Sequence, residues 1–247
     1  MSVTVEKALQ LIEALSRSTA PIGVSQLGRD LKLNKSTVYR LVDTLVRHGY
    51  AQQDKETGRY ALTVKLWEMG LGAVRGMGLR QTARPVLERE ATRTGEATLL
   101  GIVQEREALI IDKADSCHPL QIVSPLGSRV SLTSSSLGRA LLAFQPDALV
   151  TDVMAAFSPP TSRGIQTPAM LAEALAQVRA EGVARSVDEW QVGVSGVAAP
   201  IRDGQGQVVC AFCITGPSSR LVPGRMEELA GHCRTAAAEI SALLGHR

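Results

Sequence analysis

Lys35-Ser36-Thr37, followed by Tyr39 and Arg40, is the grouping in this 247-residue chain whose residue types and spacing point most directly to chemistry. Cations and short hydroxyls in the first turn of a helix, where backbone N–H groups stand free, suit a phosphate backbone, and such a helix fits the major groove of duplex DNA. Ser36 and Thr37 are assigned to positioning phosphates, Lys35 and Arg40 to phosphates or base edges, and Tyr39 to a thymine methyl or a sugar. Lys55 and Arg59, on either side of a turn ending at Gly58, are placed to approach the backbone or the minor groove.

Covalent chemistry is poorly provided for. Of four histidines, His48 falls at a helix end, His232 on the last helix and His246 at the tail, which leaves His118 as a candidate base. Val192-Gly-Val-Ser-Gly-Val197 lies one residue from a G-x-S-x-G elbow but lacks its strand-turn-helix setting. Asp188-Glu189 is a lone acidic pair, read as a solvated loop. Cys210 and Cys213 match C-x-x-C, yet they stand in a strand-like run where a spacing of three puts the sulfurs on opposite faces, and with no second Cys or His pair nearby zinc is not expected. No cofactor or metal is implied.

The elements that position the first grouping are legible. Val5, Ala8, Leu9, Ile12 and Leu15 predict a helix over 4–16 with one buried face. A short helix capped by Ser25 follows, and the turn at Lys32-Leu33 leads to Asn34, which caps a helix over 35–48 ended by Gly49. Residues 50–62 alternate on either side of a turn, as a hairpin does. Three helices and a hairpin make a winged helix-turn-helix over 1–62. Thr63 caps a linker helix, assigned to 63–78, with Val64, Trp67, Leu71 and Val74 on one apolar side, and glycines 70, 72, 76 and 78 predict bending or fraying toward its end. From 79 to 247 the order is helix, strands (97–104, 107–113, 120–124), helices (136–144, 168–181), strands (192–201, 207–215) and a last helix over 224–244. Strands bracketed by helices predict an antiparallel α+β domain.

Charge agrees with this division. Residues 1–62 hold nine Lys or Arg against six acids, a net +3, and the remainder is balanced. Four cysteines do not form a disulfide framework, no apolar run reaches membrane-spanning length, and the start MSVTVEKALQ lacks the features of a secretory signal, so a cytoplasmic protein is expected.

Residues 24–41, VSQLGRDLKLNKSTVYRL, resemble the DNA-binding domain of the IclR family of bacterial transcriptional regulators. Ser136-Leu-Gly-Arg-Ala-Leu-Leu-Ala143 resembles that family's small-x-Gly-basic-Ala helix start, and 194–203 with 214–217 its C-terminal signature, so the likeness covers nearly the whole chain. It implies a GAF-like effector-binding domain, a small-molecule effector such as a carboxylate or aromatic acid, and a homodimer, often a dimer of dimers, on palindromic double-stranded operator DNA. It further implies a repressor of a catabolic operon. Carried over by motif, backbone donors at Ser136, Leu137 and Gly138 would meet an anion, Gly196, Cys213 and Thr215 would line the pocket, and Ile122 and Val194 would supply apolar wall. Ser186 stands where members that bind small oxo-acids carry an acid, and Gly196 where some carry a larger residue, which implies a roomier, less acidic pocket. Two other readings fit the same sequence: an architectural DNA binder whose second domain only oligomerises, and a small-molecule enzyme.

Overall fold

The computed structural model describes residues 3–75 and 78–246, and the chain divides into two compact units, Met1–Gly76 and Met77–Arg247. The first unit holds α1 (Val3–Ser16), α2 (Val24–Asp30), α3 (Lys35–Arg47), β1 (Ala51–Gln53), β2 (Tyr60–Leu62) and α4 (Lys65–Arg75). Leu11, Leu27, Val38 and Val42 are fully buried at its centre. Gly28 lets the turn after α2 close tightly, because a Cβ there would stand 2.9 Å from the Leu33 carbonyl oxygen. Asn34 caps α3 as expected, its side chain accepting from Thr37 N at 2.8 Å, and Gly49 leaves the helix at φ 75°.

Three local expectations are corrected. On α1, Val5 and Leu9 were placed on the buried face but are 57% and 56% exposed, whereas Leu11 and Leu15 are buried. This helix is apolar on more than one side, so spacing alone does not choose which side turns inward. Ser25 is not the cap of α2; Gly23 holds that position, and Ser25 lies within the helix. Thr63 does bond at the start of α4, donating to Gly49 O at 2.5 Å and accepting from Lys65 N at 3.4 Å, but Val64 and Trp67, expected on a shared apolar face, are exposed. The expected end of that helix, with Gly76 and Met77, lies outside the described residues.

The second unit contains α5 (Leu79–Thr94), β3 (Ala97–Gln104), β4 (Glu107–Ala114), β5 (Arg129–Ser131), α6 (Ser136–Leu142), α7 (Asp147–Ala155), α8 (Pro168–Glu181), β6 (Ala184–Val187), β7 (Val194–Arg202), β8 (Val208–Pro217) and α9 (Pro223–Leu243). Its six strands form one antiparallel sheet in the order β5-β4-β3-β8-β7-β6. The period-two alternation of β8 divides two cores. Cys210, Phe212 and Ile214 face the core shared with α5 and α9, and Ala211 and Cys213 face the core shared with α6 and α8, so the C-x-x-C sulfurs lie on opposite sides of the sheet.

The strand expected at 120–124 is not formed. The free edge of β4 is taken instead by residues further on: Ile110 donates to Ser128 O at 3.0 Å and accepts from Gly127 N at 2.9 Å. Residues 120–124 are left as a loop, fastened where Arg220 bonds Leu120 O at 2.8 Å while gripping Glu96 through two contacts of 2.6 Å.

Candidate DNA interface and effector pocket

In the first unit, Lys35, Ser36, Tyr39 and Arg40 are exposed along α3 and Thr37 is half-buried. The first turn is held by Asn34, which accepts from the Thr37 amide and also from Ser36 Oγ at 3.1 Å. The Ser36 hydroxyl is thus tied to the cap. Lys55 and Arg59 are exposed in the connection between β1 and β2, where Asp54 accepts from Glu56 N and Thr57 N at 2.9 and 2.8 Å and fixes the turn. The hydrogen bonds from Thr57 hold the Asp54 carboxyl below its ordinary pKa. Ile22 adds a short bridge to Tyr60, exchanging two bonds of 2.8 Å, so the hairpin is anchored to the helices. Between α1 and α3 runs a groove of about 390 Å³ lined by Thr4, Lys7, Thr37, Arg40 and Thr44. Thr4 and Lys7 were not singled out from sequence, because they sit thirty residues away on another helix.

In the second unit a cavity of about 220 Å³ opens on the sheet face shared with α6. Eight of the nine residues expected around an effector line it: Ile122, Ser136, Leu137, Ser186, Val194, Gly196, Cys213 and Thr215. Gly138 does not. A Cβ there would collide with the Ser131 carbonyl oxygen and the Leu132 backbone, so this glycine serves the close seating of α6, and its amide donates to Ser135 Oγ at 2.9 Å. The Ser136 amide is likewise occupied, donating to Ser186 Oγ at 3.1 Å.

The other groups around the cavity are mostly neutral. Cys213 Sγ stands 3.7 Å from Ser136 Oγ, and burial pushes its thiol up to about 12, which keeps it protonated. Thr215 Oγ1 donates to Ser195 O at 3.0 Å. A Cβ on Gly196 would lie 2.8 Å from Ser136 Oγ, so the absence of a side chain keeps that corner open. Among the described residues lining the cavity, Arg129 is the one with a charge, and its Nη1 lies 3.3 Å from both Glu105 and Glu107. Arg129, Trp190 and Gln191, which sequence reasoning missed, reach the cavity from a short strand and a loop, where no periodicity marks a lining position.

Asp188-Glu189, expected to be solvated, is instead the anchor of the loop carrying Trp190. Asp188 is 8% exposed at φ 58°, and it accepts from Ser218 Oγ at 2.5 Å, Gly193 N at 2.8 Å and Arg163 at 2.9 Å. Its carboxyl is held below the ordinary range, first by the Ser218 and Gly193 bonds. Glu189 pairs through both oxygens with Arg139 of α6, at 2.6 and 2.9 Å, and Arg139 also bonds Thr133 O and Arg185 O. Ser195, from the near-match to a nucleophile elbow, is fully buried within β7 and bonded to Ser218 Oγ at 2.8 Å. His118 is exposed on a loop and His232 pairs with Glu90 at 2.8 Å; neither lines this cavity. Among the described residues no three His, Cys, Asp or Glu gather as a metal site, and no helix is long and apolar enough to cross a membrane.

Residues 4–55 match the family model described as the IclR helix-turn-helix domain, and residues 71–242 that of the bacterial transcriptional regulator IclR C-terminal domain. The chain is 31% identical over 245 residues to the HTH-type transcriptional regulator KdgR of Escherichia coli, covering 98% of this chain and 93% of that protein. It is 26% identical to the transcriptional repressor IclR of Escherichia coli over 97% of this chain and 89% of that protein. Among solved structures, an IclR homologue from Microbacterium hydrocarbonoxydans complexed with 4-hydroxybenzoate is similar with a TM-score of 0.86 at 25% identity, covering 98% of each chain.

Proposed function

The chain belongs to the IclR family of bacterial transcriptional regulators, with a helix-turn-helix DNA-binding domain and a C-terminal effector-binding domain, and we propose that it represses a catabolic operon under control of a small carboxylic acid, aromatic or of similar bulk. The observation that carries the effector reading is the cavity of about 220 Å³ over β7 and β8, walled by hydroxyls, a neutral thiol and apolar side chains. An apolar cavity of about 150 Å³ admits a benzene ring, so this volume suits one ring with a carboxylate. With the amides of Ser136 and Gly138 already bonded within the protein, the carboxylate finds its partners among the hydroxyls and at the Arg129 guanidinium, which turns toward it from Glu105 and Glu107. The homologue bound to 4-hydroxybenzoate supports the same ligand class.

At the other end, Lys35, Ser36, Thr37, Tyr39 and Arg40 enter the major groove while Lys55 and Arg59 of the wing approach the backbone or minor groove. The protein acts as a homodimer, and as a dimer of dimers, on a palindromic operator in the cytoplasm. Exposed Val3, Val5 and Leu9 on α1, Val64 just before α4, and Trp67 and Met69 on α4 support self-association. The described residues of the cavity wall include no histidine or carboxylate, which favours binding of the ligand over its turnover.

Calorimetric titration of the full chain with glyoxylate, pyruvate, benzoate and 4-hydroxybenzoate, paired with fluorescence anisotropy on an operator selected from chromosomal fragments, tests this reading. A ring acid is expected to bind once per chain and to lower operator affinity. Tight binding confined to the two smallest keto acids would overturn the ligand class, and operator affinity indifferent to every bound acid would favour a second domain that only oligomerises.

A further inference from the structure

Among the described residues, Trp190 lines two neighbouring cavities. On one side of it lies the effector cavity of about 220 Å³, and on the other a cavity of about 260 Å³ bounded by Leu132, Thr133, Val153 and Phe157 with Arg106 and Glu107 at its edge. The segment from β5 to α6 runs along the same divide: Arg129, Val130, Ser135 and Ser136 face the first cavity, and Ser131 to Thr133 the second. A wall of this kind works only if the indole is held in place. The loop that carries it is fastened, since Asp188 ties its neck to Ser218 and Gly193, and the adjoining Glu189 is clamped by Arg139, itself 3% exposed. Against this, the ring is 36% exposed and lies at the loop tip, so swinging it outward disturbs no core packing.

We propose that Trp190 sets the upper size limit of the effector, its indole being a partition that confines ligands to the first cavity and, when turned aside or removed, joins that cavity to the second. The proposal rests on the effector-pocket reading above. A single-ring carboxylic acid fills the first cavity with the partition closed. A two-ring acid needs its second ring in the cavity beside Leu132, Val153 and Phe157, on the far side of the indole. Loss of apolar contact of one ring edge changes affinity about tenfold or more in pockets of this kind, and outright exclusion changes it further.

The test compares wild type, W190A and W190F, each as the full chain, for binding of benzoate, biphenyl-4-carboxylate and the uncharged 4-hydroxybiphenyl by calorimetry. W190A is expected to bind both two-ring compounds at least about tenfold more tightly than wild type does, with W190F between them. Equal two-ring affinity in wild type and W190A, or no two-ring binding to W190A, overturns the partition. Should W190A fold poorly, W190F carries the comparison, because a smaller ring still narrows the wall. In a W67F background, where Trp190 is the remaining tryptophan, biphenyl-4-carboxylate is expected to shift its emission to the red as the indole moves to solvent; unchanged emission on binding counts against the proposal. The effector reading fails by a different result, namely acids that bind without altering operator affinity, so the two are separable.

Discussion

At Gly196 the missing side chain decides how much of the corner between β7 and α6 a ligand occupies, since a methyl group there would press on Ser136 Oγ at 2.8 Å. That neighbour is the end of a short side chain, but the Ile214 carbonyl oxygen at 3.2 Å is backbone and must also give, so Gly196→Ala is expected to lower the melting temperature modestly while weakening ring-acid binding about tenfold; equal affinity in both proteins would place the ligand elsewhere. Asp188 makes a prediction of opposite kind, about pH rather than volume. Its folded carboxyl sits below the ordinary 3.8 because the Ser218 hydroxyl and the Gly193 amide, and after them Arg163, favour the ionised form. The stabilisation is therefore present in full above 3.8 and is lost as pH falls through the lowered folded value. Asp188→Asn is expected to melt below wild type at neutral pH, with the gap closing in strong acid. A gap of constant size across a pH series of thermal melts would contradict this.

Elements differ in how plainly the sequence announces them. The helix over Lys35–Arg47 is announced twice, by Asn34 as its cap and by the stripe of Val38, Leu41, Val42, Leu45 and Val46, of which the first four are buried in the first unit and Val46 is half-buried. Removing the cap in Asn34→Ala frees the Thr37 amide and is expected to cost about 1 kcal/mol, read as a lower melting transition, and to weaken operator binding because the same turn carries Lys35 and Ser36. Unchanged values of both would mean that packing alone sets this turn. The short elements were hidden. β5 and β6 are three and four residues long, too brief for alternation to register, and α7 has no strong stripe. Apolar alternation at 120–124 suggested a strand, whereas Ile110 on the β4 edge bonds Gly127 and Ser128 instead. For the cavity, the residues on β7, β8 and α6 were legible through family likeness, whereas Arg129 and Trp190 depend on how a short strand and an anchored loop are folded back, which long-range ion pairs such as Arg139–Glu189 decide.

At the scale of the whole molecule, regulation requires that the two sites share free energy. If a ring acid lowers operator affinity by some factor, operator DNA must lower the affinity for that acid by the same factor, a tenfold effect corresponding to about 1.4 kcal/mol either way. Titrating the acid into free and into operator-bound protein measures both sides of this cycle, and unequal factors would mean that a further species, such as a change of oligomer, enters it. Arg40→Ala separates the output from the input. Arg40 is exposed on α3 and belongs to the unit whose first 62 residues carry a net +3, so its loss is expected to weaken operator binding and reduce the salt dependence of that binding by about one counterion. Ring-acid affinity of the DNA-free variant should match wild type, because the described residues that line the cavity over β7 and β8 all belong to the second unit. Equal loss of both affinities would show that Arg40 supports the fold as a whole, and the division between a DNA-reading unit and a ligand-reading unit would have to be redrawn.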